Sequence, residues 1–421
     1  MTNSHAATTL RLTRHHLAIF LIGMMLIHLW LLRQGWQGIR IGLPDFSIFY
    51  TAGKIVRSGH AARLYDNALQ ESVQSEFAAE GIARRGSILP YNHLPFEAVL
   101  FVPLTAVSYR AAYFIWFAMN IAILMAIALM LRRDLAHLRT FPPWLWILAP
   151  LAFLPIFIAL MQGQDSIVLL LVYVMAFRAL RCGSEFSAGA WLGLGLCKYH
   201  LLLPFLLVFL WQRRTRLIAG FVVVAFVLGA ISFALVGWDG LRSYPGYVLH
   251  SEQNKRYVWN ASRNNTPNLR SLVIGVWPGH QSEEEKEDSL GFKAVLVLTS
   301  LLLLAATIRS WPVTGGFGSP GFQFAFALNL LATLLLSYHS FLHDMSMLFL
   351  TSLLVGNSLA AVPLVKRGLR NVLLVCSGLL FLSPLMLILT YMRRLWLINF
   401  VLAVFFVAIY RASQTLKSEE R

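Results

Sequence analysis

The stretch LLLPFLLVFLW (201–211) is followed by QRRTR (212–216) and then LIAGFVVVAFVLGAISFALV (217–236). Two long apolar runs therefore meet at a five-residue connector carrying three arginines. A membrane-spanning helix needs about 20 predominantly apolar residues. Short loops rich in Lys and Arg are retained on the cytoplasmic side. Lys366-Arg367 with Arg370, and the tail from Arg411 to Arg421, repeat the basic punctuation. Further apolar segments fall at 17–32, 95–107, 110–131, 142–160, 166–180, 186–211 (interrupted), 290–308, 322–337, 345–365, 371–391 and 395–411. The expectation is an all-α polytopic membrane protein with ten to twelve transmembrane helices.

Composition agrees. Of 421 residues, 57% are hydrophobic and 13% charged, and the mean hydropathy is +0.65. Soluble domains are about a quarter charged, so a soluble enzyme, a disordered chain and a nucleic-acid binder all fit poorly. The net charge of +16 comes from 35 Lys plus Arg against 19 Asp plus Glu. In a membrane protein this excess points to cytoplasmic anchoring and to anionic lipid or phosphate partners. Cys182, Cys197 and Cys376 lie in or beside apolar runs; they form neither a disulfide framework nor the ligand spacing of a zinc site.

The first apolar run, Leu17 to Leu32, follows Arg11 and Arg14 and leads into Arg33-Gln34-Gly35-Trp36 instead of a small-residue cleavage site. It reads as an uncleaved anchor with its N-terminus in the cytoplasm. The expected organisation is one membrane domain over 1–411 with a cytoplasmic tail, 412–421. Two large outer loops are expected, at about 33–93 and about 237–289. Segments 46–58 and 67–80 read as short amphipathic helices at the interface. The acidic run 283–288 reads as a solvated, mobile loop without chemistry. No repeat of 20–50 residues is visible.

An ionisable group at the bilayer centre costs roughly 2.5–3.5 kcal/mol even on insertion scales, so those at or within apolar segments deserve a census. They are Asp45, Glu97, Asp165, Asp344, Lys198, His339 and His343. Asp45, after Gly42-Leu43-Pro44, is either the N-cap of the following helix or a general base at the membrane surface. Lys198, one of seven lysines, either snorkels to an interface or offers a compact cation to a phosphate. Gln162-Gly163-Gln164-Asp165-Ser166 is either a plain turn or a substrate-facing re-entry. In Ser337 to Asp344, His339 and His343 are four apart and would share a face if helical. That run reads as a cavity lining or an interfacial turn; a divalent cation there lacks a third ligand, and HExxH is absent.

Taken in order, these stretches resemble glycosyltransferase family 87, whose characterised members are polyprenyl-phosphate-mannose-dependent mannosyltransferases. Pro44-Asp45-Phe46-Ser47-Ile48-Phe49-Tyr50-Thr51-Ala52-Gly53-Lys54, continuing to Leu64-Tyr65-Asp66, is similar to the family's opening motif. Leu89-Pro90-Tyr91-Asn92-His93-Leu94-Pro95-Phe96 with Pro103-Leu104 resembles the entry into its next helix, with Leu94 where a second proline is frequent. Gly163-Gln164-Asp165 resembles its "G-Q-N" turn with Asp in place of Asn. Lys198 falls where a lysine follows a small-residue helix, and Ser337 to Asp344 is similar to a late polar turn.

The resemblance implies a GT-C-type helical bundle with its active site at the outer face. It implies transfer of a hexose, mannose by default, from a polyprenyl-phosphate donor to a lipid or glycan acceptor, with inversion. Asp45 takes the place of the catalytic base and Lys198 that of a donor-phosphate cation. Arg256 and Arg263 join Lys198 on charge and loop position alone. Tyr50, Tyr91, His93, Gln164, Asp165, His339, His343 and Asp344 are the expected lining of the substrate cavity. No cofactor is required by the sequence, which leaves a divalent cation open but unsupported, and no nucleic-acid partner is expected. The location implied is a bacterial inner membrane. The rival class is a transporter or flippase of a lipid-linked or anionic substrate. It predicts inverted halves with broken helices in both; no such symmetry is visible, and a 60-residue first loop has no role in it.

Overall fold

The computed structural model describes residues 2–253, 265–279, 282–311, 318–362 and 365–419. Among these the chain forms α-helices and short 3-10 turns, with no strand. The helices are α1 (Thr2–Arg40), α2 (Phe46–Arg57), α3 (Asn67–Arg85), α4 (Pro95–Phe101) and α5 (Tyr109–Asp134). Then come α6 (Pro143–Leu151), α7 (Leu154–Gln162), α8 (Ser166–Arg181), α9 (Glu185–Leu194), α10 (Tyr199–Trp211) and α11 (Thr215–Gln253). The C-terminal part holds α12 (Leu269–Val276), α13 (Glu283–Asp288), α14 (Leu290–Ser310), α15 (Pro320–Leu336) and α16 (Leu348–Ala361). It closes with α17 (Arg367–Phe381), α18 (Ser383–Tyr391) and α19 (Ile398–Glu419).

The protein is an all-α polytopic membrane protein. Among the described residues, seven helices are long and apolar enough to cross a bilayer, or up to nine if the bent pairs α6–α7 (64°) and α17–α18 (62°) each make one span. This is fewer than the ten to twelve expected, because three apolar segments fold short. Segment 95–107 becomes the seven-residue α4 and a 3-10 turn. Segments 166–180 and 322–337 become helices of 16 and 17 residues, below the usual spanning length. The helix α1 runs on to Arg40, and α11 is kinked at Gly237 (φ 67°, ψ −173°).

The chain packs as two units, Gln34–Ala122 with Ala159–Asn265, and Met1–Arg33 with Ile123–Ile158 and Thr266–Arg421. In the first, the expected amphipathic segments form α2 and α3. The α2 helix buries Phe46, Ile48, Phe49, Tyr50 and Ile55, and a Cβ on Gly53 would stand 2.9 Å from the Phe101 backbone of α4. Asp66 caps α3 by accepting from the Ala68 and Leu69 amides at 3.0 and 3.2 Å. Two fully buried α3 amides then order the chain that follows: Gln74 Oε1 accepts from Leu89 N (3.0 Å) and Gln70 Oε1 from Tyr91 N (2.8 Å). Further on, α9 lies directly against α11. A Cβ on Gly189 would collide with the Leu217 carbonyl and one on Gly220 with the Phe186 carbonyl, the small-residue contact by which helix backbones approach closely in membranes. Beyond α9 the chain tightens into a 3-10 turn, Gly195–Lys198, before α10 begins.

In the second unit, α15 is buried from Phe322 to Leu335. His28 of α1 is buried, with Nδ1 2.8 Å from the Leu151 carbonyl and Nε2 2.9 Å from Ser383 Oγ. The acidic run 283–288 is not a loose loop but α13, nucleated by a capping box between Ser282 and Glu285. Glu287 accepts both guanidinium bonds of Arg270 (2.5 and 2.7 Å), and Arg270 also lies 4.1 Å over the Tyr338 ring. An acidic first turn suits the positive end of a helix, which is why six consecutive charged residues fold here.

Candidate functional site

Asp45 occupies the N-cap position of α2 but does not cap it. Its backbone is already helical (φ −60°, ψ −19°), and its side chain accepts no hydrogen bond from the first helical amides. Asp66, with an extended backbone (φ −81°, ψ 107°), shows what capping looks like in the same loop. The Asp45 carboxylate is directed instead to Gln164, whose Nε2 donates to Oδ2 at 2.7 Å. The Asp45 amide donates to Gln162 Oε1 at 3.2 Å.

Gln162 ends α7, and Gln164 and Asp165 belong to the turn between α7 and α8. Gly163 makes this turn possible. It has φ +65°, and a Cβ there would stand 2.7 Å from Phe46 Cβ. Trp116 Nε1 locks the turn by donating to the Gly163 carbonyl at 2.9 Å. Gly163 thus presses the turn onto the first residue of α2, which brings Gln164 to Asp45. Asp165 is the N-cap of α8 and, like Asp45, makes no side-chain cap.

Lys198 is buried with its ammonium 3.1 Å from Asp165 Oδ1. Its Nζ also lies 3.4 Å from Gln164 Oε1. Snorkelling is therefore not what this lysine does. Gln164 carries both contacts in the chemically matched sense, its amide NH₂ toward the Asp45 carboxylate and its oxygen toward the ammonium. One amide therefore separates an acid from a cation.

A second pair extends the cluster. His93 Nδ1 is 2.9 Å from Glu97 Oε2, and Glu97 is buried at the start of α4. Burial drives the Glu97 carboxyl upward, to about 7, and the Asp165 charge adds to this while His93 opposes it. For His93, burial acts downward but the charge and hydrogen bond of Glu97 outweigh it, so its pKa is raised. Three phenols grip the backbone that carries His93. Tyr244 donates to the Asn92 carbonyl (3.0 Å), Tyr65 to that of His93 (2.9 Å) and Tyr91 to that of Leu94 (2.8 Å). Burial pushes the Tyr65 and Tyr91 phenols up, so both remain donors.

Of the residues singled out from sequence, Asp45, Gln164, Asp165, Lys198 and His93 come together in one unit. Tyr50 is buried in that unit too, but its hydroxyl donates to the Val107 carbonyl (2.8 Å). Tyr91 is fully buried behind the cluster. His339, His343 and Asp344 belong to the other unit. There, residues 337–341 are not helical, so the two histidines do not share a helix face. Asp344 accepts from the Phe341 amide at 2.8 Å and orders a 3-10 turn. Arg256 and Arg263 lie outside the described residues. Glu97 is the member that sequence reasoning noted but did not assign; its spacing of four from His93 was the available signal. Arg85, which donates to the Gly42 and Leu43 carbonyls (both 2.9 Å) and acts electrostatically on Asp45, had none.

Fold and site together describe an integral-membrane protein in which one amide bridges an acid and an ammonium. The family model for glycosyltransferase family 87 matches residues 91–338, more than half of the chain. The chain belongs to glycosyltransferase family 87 and is a membrane enzyme that takes a sugar donor and an acceptor. His93, Glu97, Gln164, Asp165 and Lys198 fall within the matched segment, and Asp45 precedes it. No curated protein and no solved structure matched the chain.

Proposed function

We propose that the enzyme transfers a hexose, mannose by default, from a polyprenyl-phosphate donor to a lipid or glycan acceptor, with Asp45 as general base. The observation that carries this reading is the Asp45 carboxylate itself. It forgoes the cap that its position offers and is oriented by Gln164, one amide away from the Lys198 ammonium. In the reaction, Asp45 takes the proton of the acceptor hydroxyl as its oxygen bonds to the anomeric carbon. The bond from that carbon to the phosphate oxygen breaks on the opposite face, which inverts the centre. Charge then develops on the departing polyprenyl phosphate, and fixed cations stabilise it. Lys198 has that role, with Arg256 and Arg263 as further cations from the second loop. The reaction takes place at the outer face of a bacterial inner membrane, under the loop that holds α2 and α3.

The test is a transfer assay with purified enzyme and a panel of polyprenyl-phosphate sugars, followed by NMR of the product's anomeric proton. Mannose transfer with inversion is expected. Use of a nucleotide sugar instead, or retention of configuration, would overturn the donor class or the single-displacement mechanism respectively.

A further inference from the structure

His93, Glu97 and Asp165 each present a ligand atom, and these atoms lie within 4.8 Å of one another. We propose that the three side chains form a site for a divalent cation of the first transition row, Mn²⁺ or Zn²⁺. The site itself does not depend on the donor proposed above.

Four observations carry it. First, Glu97 is 1% exposed, and no donor among the described residues reaches its Oε1, while Oε2 faces His93. A buried carboxylate oxygen without a donor or a cation is costly. Second, Asp165 and Glu97 each bring a carboxylate oxygen within 4.8 Å of the other and of the His93 ring nitrogen, and two carboxylates that close are best served by a positive centre between them. The Lys198 ammonium meets Asp165 at Oδ1, 3.1 Å away. A carboxylate has about four lone-pair sites, so Asp165 serves ammonium and metal together. Third, the ligands are held before any ion arrives. The Tyr65, Tyr91 and Tyr244 phenols fix the backbone at 92–94, and Gly163 fixes the turn of Asp165. Such outer-shell support is typical of metal ligands. Fourth, one imidazole with two carboxylates suits Mn²⁺ or Zn²⁺ better than Ca²⁺, which takes six to eight oxygens. In the transfer reaction, and resting on that reading, the ion adds positive charge beside Lys198.

The experiment uses full-length enzyme purified in detergent and stripped with a chelator. Mn²⁺ is titrated while free Mn²⁺ is followed by electron paramagnetic resonance, with Zn²⁺ as competitor and no sugar donor present. One saturable ion per chain is expected, with binding at least about tenfold weaker in Glu97→Gln and in His93→Gln. Absence of saturable binding of either ion up to millimolar concentration would overturn the site and leave a proton shared by Glu97 and Asp165. Binding that both substitutions leave unchanged would overturn it as well. The wild-type titration decides even if a variant fails to fold, and a failure here does not touch the assignment of Asp45.

Discussion

Replacing Lys198 by Met and Asp165 by Asn, singly and together, measures how the centre of the site is held. The ion pair spans 3.1 Å between side chains only 5% and 4% exposed. At an effective dielectric of 20 that separation corresponds to about 5 kcal/mol of attraction. Either single substitution strands a buried charge, which costs about 3–5 kcal/mol. The double variant removes both charges and leaves an amide able to bond with Gln164, so it is expected to be more stable than the sum of the single losses requires. The expected coupling is on the order of 3 kcal/mol, the upper range for residues in contact. Unfolding in mixed micelles by increasing denaturing detergent, followed by tryptophan fluorescence, provides the four free energies. Additivity within about 0.5 kcal/mol would mean that Lys198 and Asp165 are not paired, and would return Lys198 to an interface. In a transfer assay the folded double variant is also expected to show a raised KM for donor, because the Lys198 ammonium no longer faces the phosphate; an unchanged KM would remove Lys198 from donor binding.

Gly163→Ala must place a side chain at φ +65° and 2.7 Å from Phe46 Cβ. The left-handed backbone and the overpacking together are expected to cost about 2–5 kcal/mol, seen as a lower unfolding midpoint; an unchanged midpoint would show that the turn is free to move off α2. Tyr65→Phe and Tyr244→Phe each remove the donor to one carbonyl beside His93, and each is expected to lose about 1–3 kcal/mol. Loss of less than about 0.5 kcal/mol in both would mean that the phenols do not hold the segment.

Much of the helical organisation could be read in advance, because amphipathic periodicity and apolar length are local properties. Segments 46–58 and 67–80 emerged as α2 and α3 for that reason. The count of spans did not, since apolar runs such as 322–337 are buried in protein as shorter helices, and hydropathy alone does not distinguish protein from lipid surroundings. Asp45 and Asp66 look equivalent as cap residues in sequence. They differ through backbone angles set by Pro44, Gly163 and packing, which carry no sequence pattern. The Lys198–Asp165 pair joins the two ends of α8 and α9 by a long-range contact, and nothing local to either residue announces the other. Glu97 was visible as a misplaced acid, yet only its burial against His93 and Asp165 gives it a place in the site.

The general-base claim is tested most directly by Asp45→Asn in the polyprenyl-phosphate transfer assay. Asparagine keeps the shape of the side chain and can still meet Gln164, but it takes no proton. Transfer is expected to fall by about 10²–10⁴-fold with an unfolding midpoint and donor binding close to wild type. Turnover at the wild-type rate by the Asn variant would contradict the assignment of Asp45 as the base.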